Sequence, residues 1–96
     1  MNTDWIEKLD MLPVAARGRI RRYLEEGDGA SMSTFYRALL SNDLIGAIQG
    51  ADAENRAGLP DFVEYLTAYA PCGSYGSADA IQTWRGVASI SSYPPE

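Results

Sequence analysis

Apolar residues recur along this chain at intervals of three and four, the spacing that brings side chains to one face of an α-helix. The clearest case begins near Pro60, where we expect a helix that runs to Ala70. No segment shows the strict alternation of a half-buried strand, so the pattern predicts an all-α fold. The apolar positions of this helix are Leu59, Phe62, Val63, Leu66 and Tyr69.

The same spacing, together with residues that commonly begin and end helices, predicts further helical segments. Asn42 fits either a break between two helices or a position inside one bent helix, and the segment 52–57 is hardly more than one turn. We therefore expect a compact bundle of five to six short helices. The segments are 4–11, 13–26, 34–41, 43–49, 52–57 and 78–85, and within 43–49 we expect Leu44, Ile45 and Ile48 to face inward.

A chain of 96 residues makes one domain, which we divide into three parts. Residues 1–31 form an N-terminal helical pair and linker, residues 32–88 form a helical core, and residues 89–96 form a flexible tail. The linker ends directly before Met32, where an internal start would produce a shorter chain of residues 32–96.

The composition argues against catalysis and against bound metal. The chain has no histidine and a single cysteine, Cys72, which excludes Ser-His-Asp sites and four-ligand zinc sites built from His and Cys. We therefore predict no enzyme activity, no metal and no cofactor. A lone cysteine suits a reducing compartment, and no apolar run approaches the roughly 20 residues that cross a bilayer. These features predict a cytoplasmic protein.

Charge is distributed unevenly along the chain. The formal net charge is −5, and residues 31–96 hold seven acidic and three basic residues. An excess of acids disfavours contact with nucleic-acid phosphates and favours a basic protein partner. The one basic cluster, Arg17–Arg22, spreads its arginines around a predicted helix instead of along one face, so direct nucleic-acid binding is not expected.

Aromatic and acidic residues concentrate in the second half of the chain. Tyr and Trp are enriched among the residues that dominate protein interfaces, and six tyrosines and two tryptophans occur here. Tyr36, Tyr65, Tyr69 and Tyr75 lie least clearly on apolar faces. The segment 61–70 and the loop to Tyr75 are therefore the predicted partner-binding surface. Its candidate residues are Asp61, Glu64, Tyr65, Tyr69, Tyr75 and Asp79.

In size, acidity, helical make-up and lack of catalytic residues, the chain resembles the small acidic proteins that bacteriophages encode against host defence, above all anti-CRISPR proteins. The resemblance is to a class without a shared motif, so it transfers no site residues. It implies an inhibitor that binds a CRISPR effector complex in the host cytoplasm, at a basic or subunit-contact surface.

Two other interpretations follow from the residues themselves. The first is a small helical DNA-binding regulator that uses the Arg17–Arg22 cluster. In the second, the protein forms a homodimer, in which the basic helix of one copy meets the acidic later part of the other.

Overall fold

The computed structural model describes residues 4–29, 32–71 and 73–87. Within these ranges the protein is all-α, with no strand, which confirms the predicted fold class. The radius of gyration, 12.4 Å, matches the value of about 12.5 Å expected for one folded domain of this length. The helices are α1 Asp4–Glu7, a 3-10 helix Lys8–Met11, α2 Val14–Glu26, α3 Thr34–Leu40, α4 Leu44–Gly50, α5 Ala53–Ala57, α6 Leu59–Ala68 and α7 Ala78–Thr83.

The described residues form seven α-helices, because the chain breaks at Asn42 and the segment 52–57 contains a helix of its own. Asn42 has a φ of 69°, in the left-handed region that Asn tolerates better than most residues, and this ends α3. The carboxylate of Asp43 then accepts a hydrogen bond of 3.0 Å from the amide of Gly46 and caps α4. Asp52 caps α5 in the same way through the amide of Asn55.

One apolar core joins the N-terminal helices to α3 and α6. Three aromatic rings lie at its centre, from Phe35, Tyr36 and Phe62, with centroids 5.1 to 6.3 Å apart in edge-to-face arrangements. The buried stripe predicted on α2, from Ala16 through Leu24, is fully inside. Other buried core residues are Trp5, Leu9, Leu12, Ile20, Tyr23, Leu39, Leu40, Leu59, Tyr65, Leu66 and Trp84.

The C-terminal part of the described chain is fastened to α2. The hydroxyl of Tyr23 donates to the carbonyl of Ser74 at 2.7 Å, and the indole Nε1 of Trp84 donates to the carbonyl of Tyr23 at 3.0 Å. Gly86 has a φ of 92°, and a Cβ there would overlap the backbone of Glu25. This close approach needs glycine.

The prediction that α4 points Leu44 and Ile45 inward is wrong. Leu44 is 59% exposed and Ile45 is 73% exposed, while Ile48 is only half-buried. The helix packs on α3 through small residues instead: a Cβ on Gly46 would lie 3.2 Å from the Ala38 Cβ, and one on Gly50 would lie 3.3 Å from the Phe35 nitrogen. Ala47, on the same face, is fully buried. Such close contact leaves no room for bulky side chains between α3 and α4, so Leu44 and Ile45 point outward.

Some expectations concern residues outside the described ranges. These are Cys72, the linker residues 30–31 and the tail 89–96. Among the helices that the structure describes, none is both long and apolar enough to cross a membrane.

Candidate functional site

Helix α6 has a buried face and an exposed face. Leu59, Phe62, Tyr65 and Leu66 point into the core. Pro60, Val63, Glu64 and Thr67 follow the helical spacing i, i+3, i+4, i+7 and form the exposed stripe on the opposite side. Val63 is 45% exposed although it is fully apolar. The stripe is therefore a mixed apolar and acidic surface on a rigid element.

A shallow hollow lies between the beginning of α4 and α6. It encloses about 550 Å³ and is wide open to solvent. Its apolar wall comes from both helices because α4, held close to α3 by glycines, turns Leu44 toward α6. The lining residues are Leu44, Leu59, Pro60, Val63, Glu64 and Thr67.

A second, smaller hollow continues from the first along α6. It encloses about 180 Å³ and reaches Tyr75 and Gly76. Val63 and Thr67 line both hollows, so the two form one continuous surface. The lining residues are Leu39, Asn42, Val63, Leu66, Thr67, Tyr75 and Gly76. We call this surface the α6 face and define it by Leu44, Pro60, Val63, Glu64, Thr67 and Tyr75.

The loop that carries Tyr75 is held in place on both sides. The hydroxyl of Ser74, fully buried, donates to the carbonyl of Pro71 at 2.6 Å. The amide of Gly76 donates to the carbonyl of Leu40 at 2.7 Å. These bonds fix the backbone on either side of Tyr75, so its half-buried ring forms a firm edge to the smaller hollow.

Two exposed carboxylates on α6 have no ion-pair partner among the described residues. Asp61 and Glu64 are exposed, and within the described ranges neither side chain takes part in an ion pair or hydrogen bond. Two ion pairs, Arg21–Glu25 at 3.5 Å and Arg22–Glu26 at 3.4 Å, lie within α2 and involve neither of these carboxylates. The α6 face therefore carries negative charge that the protein itself does not balance.

The six predicted contact residues do not form one surface. Glu64 and Tyr75 line the hollows of the α6 face, whereas Asp61 is exposed at the start of α6 and lines neither hollow. The exposed Asp79 lies on α7. Tyr69 is half-buried, and the Lys8 ammonium lies 5.6 Å from the centroid of the Tyr69 ring.

The prediction that Tyr65 contacts a partner is wrong, because its side chain is fully buried. Its hydroxyl donates to the carbonyl of Trp5, which lets an amphipathic side chain enter the core. Tyr36, also expected near the surface, is buried too, and burial raises its pKa.

Sequence reasoning missed the apolar part of this surface. Leu44 and Val63 were assigned to the core because their spacing fits apolar helix faces. A usable signal was present in α4, where Gly46 and Gly50 are four residues apart and Ala47 adjoins the first. A stripe of small residues permits close helix contact, and it could have marked that face as the inner one.

The arginines of the basic cluster are largely engaged within the protein. Arg17 donates to the carbonyls of Leu12 at 3.0 Å and Asp10 at 2.9 Å, joining α2 to the preceding turn. Arg21 and Arg22 pair with glutamates one turn later. Three of the four arginines are therefore engaged in local structure, unlike the carboxylate of Glu64 on the α6 face.

In the residues that the structure describes, no three acidic or cysteine side chains approach closely enough to hold a metal ion. What the α6 face offers chemically is apolar contact area beside uncompensated carboxylates. Comparison with known protein families, with curated proteins and with solved structures finds no match to this chain.

Proposed function

We propose that this protein is a non-catalytic inhibitor that binds a basic protein surface through its α6 face. One observation carries the proposal: the exposed apolar side chains of Leu44 and Val63 lie beside Glu64, whose carboxylate has no partner in the described structure. Exposed apolar groups that lie next to each other do not stabilise a monomer, whereas covering them with a partner stabilises the complex.

The two components of the face have different tasks in binding. Covering the exposed parts of Leu44 and Val63 contributes on the order of 1 kcal/mol for each side chain, from the apolar area removed from water. The carboxylates of Asp61 and Glu64 speed encounter with a basic surface and discriminate against acidic partners. Affinity then comes mainly from the apolar centre and specificity from the acidic rim.

The specific form that we propose is a phage-encoded, anti-CRISPR-like inhibitor acting in the host bacterial cytoplasm. A CRISPR effector complex must present basic surfaces to hold nucleic acid, and its subunits meet through extended contacts. The acidic net charge of −5 and the α6 face suit either kind of target surface. Occupying one of them blocks nucleic-acid loading or assembly without any chemistry by the inhibitor.

The test uses a panel of purified CRISPR effector complexes, multisubunit ones first, and measures both binding and inhibition of DNA cleavage. We expect one complex to be bound and inhibited, with both effects weakened by V63S and by E64R. The matched control is V14S, which changes an equally apolar valine that is 70% exposed at the start of α2. Absence of binding to every complex, or equal inhibition by V63S and V14S, would contradict the proposal.

A further inference from the structure

We infer that the element received by the α6 face is an amphipathic helix of the partner protein, with apolar anchors on one side and lysine or arginine residues flanking them. This inference rests on the proposed function and specifies the chemistry of the partner. It follows from the shape of the two hollows, from the charge of their rim and from the absence of a strand in the described chain.

The size of the smaller hollow sets the class of ligand. Its 180 Å³ lies well below the roughly 300–1,000 Å³ of small-molecule sites, and the larger hollow, although it measures 550 Å³, is too open to enclose such a ligand. A cavity of about 150 Å³ suffices for one benzene ring. The hollow beside Tyr75 therefore suits a single apolar side chain, such as leucine or phenylalanine, that belongs to a larger partner.

The arrangement along α6 indicates a second anchor. On α6, Pro60 lines only the larger hollow and Leu66 only the smaller one, while Val63 and Thr67 line both. Seven residues of α-helix, from Pro60 to Thr67, span about 10 Å. Two apolar side chains that fill both hollows are thus one to two helical turns apart, which is the anchor spacing of a helix that lies in a groove.

The described structure also restricts how a peptide can dock. Strand addition needs a free sheet edge, and the described residues form no sheet. The carboxylates of Asp61 and Glu64 then require basic residues beside the anchors, because acidic side chains placed there would be repelled. The partner element is therefore a basic amphipathic helix.

The experiment uses a synthetic peptide probe with leucine or phenylalanine at positions i, i+4 and i+7 and with lysine and arginine on the flanks. A second peptide has the same composition with the apolar positions scrambled, and a third carries glutamate in place of the basic residues. Affinity is measured by fluorescence anisotropy with the full-length protein, and amide NMR shifts map the contact.

We expect the first peptide to bind at least about tenfold more tightly than either control, the scale of one interface hot spot. Shift changes should concentrate on residues 59–67 and 75–76, V63S and E64K should weaken binding, and V14S should not. Equal binding of the scrambled peptide, or shifts centred elsewhere, would overturn the inference. The melting temperature of each variant verifies that its fold is intact.

A second copy of this chain is the competing occupant. Sedimentation of the protein alone should show a monomer, and a dimer that V63S dissociates would assign the α6 face to self-association and overturn the inference. The outcomes separate the two proposals. Effector inhibition that depends on Val63, without any peptide binding, would leave the proposed function standing and remove the helix. Peptide binding at this face without inhibition of any effector would support the helix and remove the proposed function.

Discussion

The hydroxyl of Tyr65 donates a hydrogen bond to the backbone carbonyl of Trp5, across 60 residues of sequence. The bond joins the middle of α6 to the first described helix and lies inside the core. It fixes the rotation of α6 about its own axis, because Tyr65 can reach Trp5 only when Val63 and Glu64 face solvent. Together with the buried Leu59, Phe62 and Leu66, this contact orients α6 so that Val63 and Glu64 face solvent.

Replacing Tyr65 with phenylalanine should destabilise the fold and leave partner binding intact. The substitution keeps the ring but leaves the Trp5 carbonyl buried without this donor, a loss of about 1–3 kcal/mol. Urea unfolding of Y65F measures it. Unchanged stability together with weaker effector or peptide binding would return Tyr65 to the contact surface.

The buried Tyr23 should make the protein sensitive to alkali. Burial raises the pKa of Tyr23 from 10.0 to about 12, so the folded state holds this proton more tightly than the unfolded state. The resulting stability is fully present below pH 10 and is lost as the pH rises through 12, by about 2–3 kcal/mol. Denaturant unfolding at a series of pH values measures this loss.

The control for this loss is Y23F, which has no proton to release at that position. Y23F should be less stable at neutral pH, since the Ser74 carbonyl loses its donor, but its stability should fall less between pH 10 and 12. Burial raises the pKa of Tyr36 as well, so some alkaline loss should remain in the variant. Parallel curves for the two proteins would contradict the assignment.

Two glycines should respond to alanine in opposite directions. G86A forces a Cβ into the backbone of Glu25 at a φ of 92° and should cost more than about 1 kcal/mol. G18A lies in the middle of α2 with nothing within 4 Å of the new Cβ, and should stabilise the protein by about 0.5–1 kcal/mol. Thermal unfolding measures both. Tolerance of G86A would show that the C-terminal segment does not pack on α2 as described.

The arginine cluster of α2 should contribute to helix stability and not to nucleic-acid binding. Arg21 and Arg22 are exposed and paired within the helix, so R21Q and R22Q should each cost about 0.3–0.5 kcal/mol. Duplex DNA should bind the wild type weakly or not at all in electrophoretic mobility shifts at low salt. Tight binding that falls steeply with salt and disappears in R19Q/R22Q would support the DNA-binding regulator instead.

The positions of the helices could be predicted from sequence because they depend on local signals. Pro13 precedes α2, and Ser77 accepts a hydrogen bond of 3.1 Å from the amide of Ala80 at the start of α7. Such signals act over four residues or fewer. They are present whether or not the rest of the chain has folded.

The rotation of the helices could not be predicted in the same way. Periodicity assigned Leu44 and Val63 to the core because it weighs apolar size and ignores how closely two helices approach. Tyr65 and Tyr36 were placed near the surface because they lie least clearly on predicted apolar faces, and only tertiary contacts decide whether a phenol hydroxyl finds a buried partner. The acids of the α6 face were predicted as contacts, but the apolar residues between them emerge only from the three-dimensional structure.

The central claim is that the α6 face binds the partner, and the comparison of V63S with V14S tests it most directly. Each variant removes one exposed valine, at Val63 on the α6 face or at Val14 on α2. The measurement is the dissociation constant of each variant for the inhibited effector complex. We predict a loss of at least about tenfold for V63S and none for V14S, with both proteins folded. Equal affinities would contradict the claim.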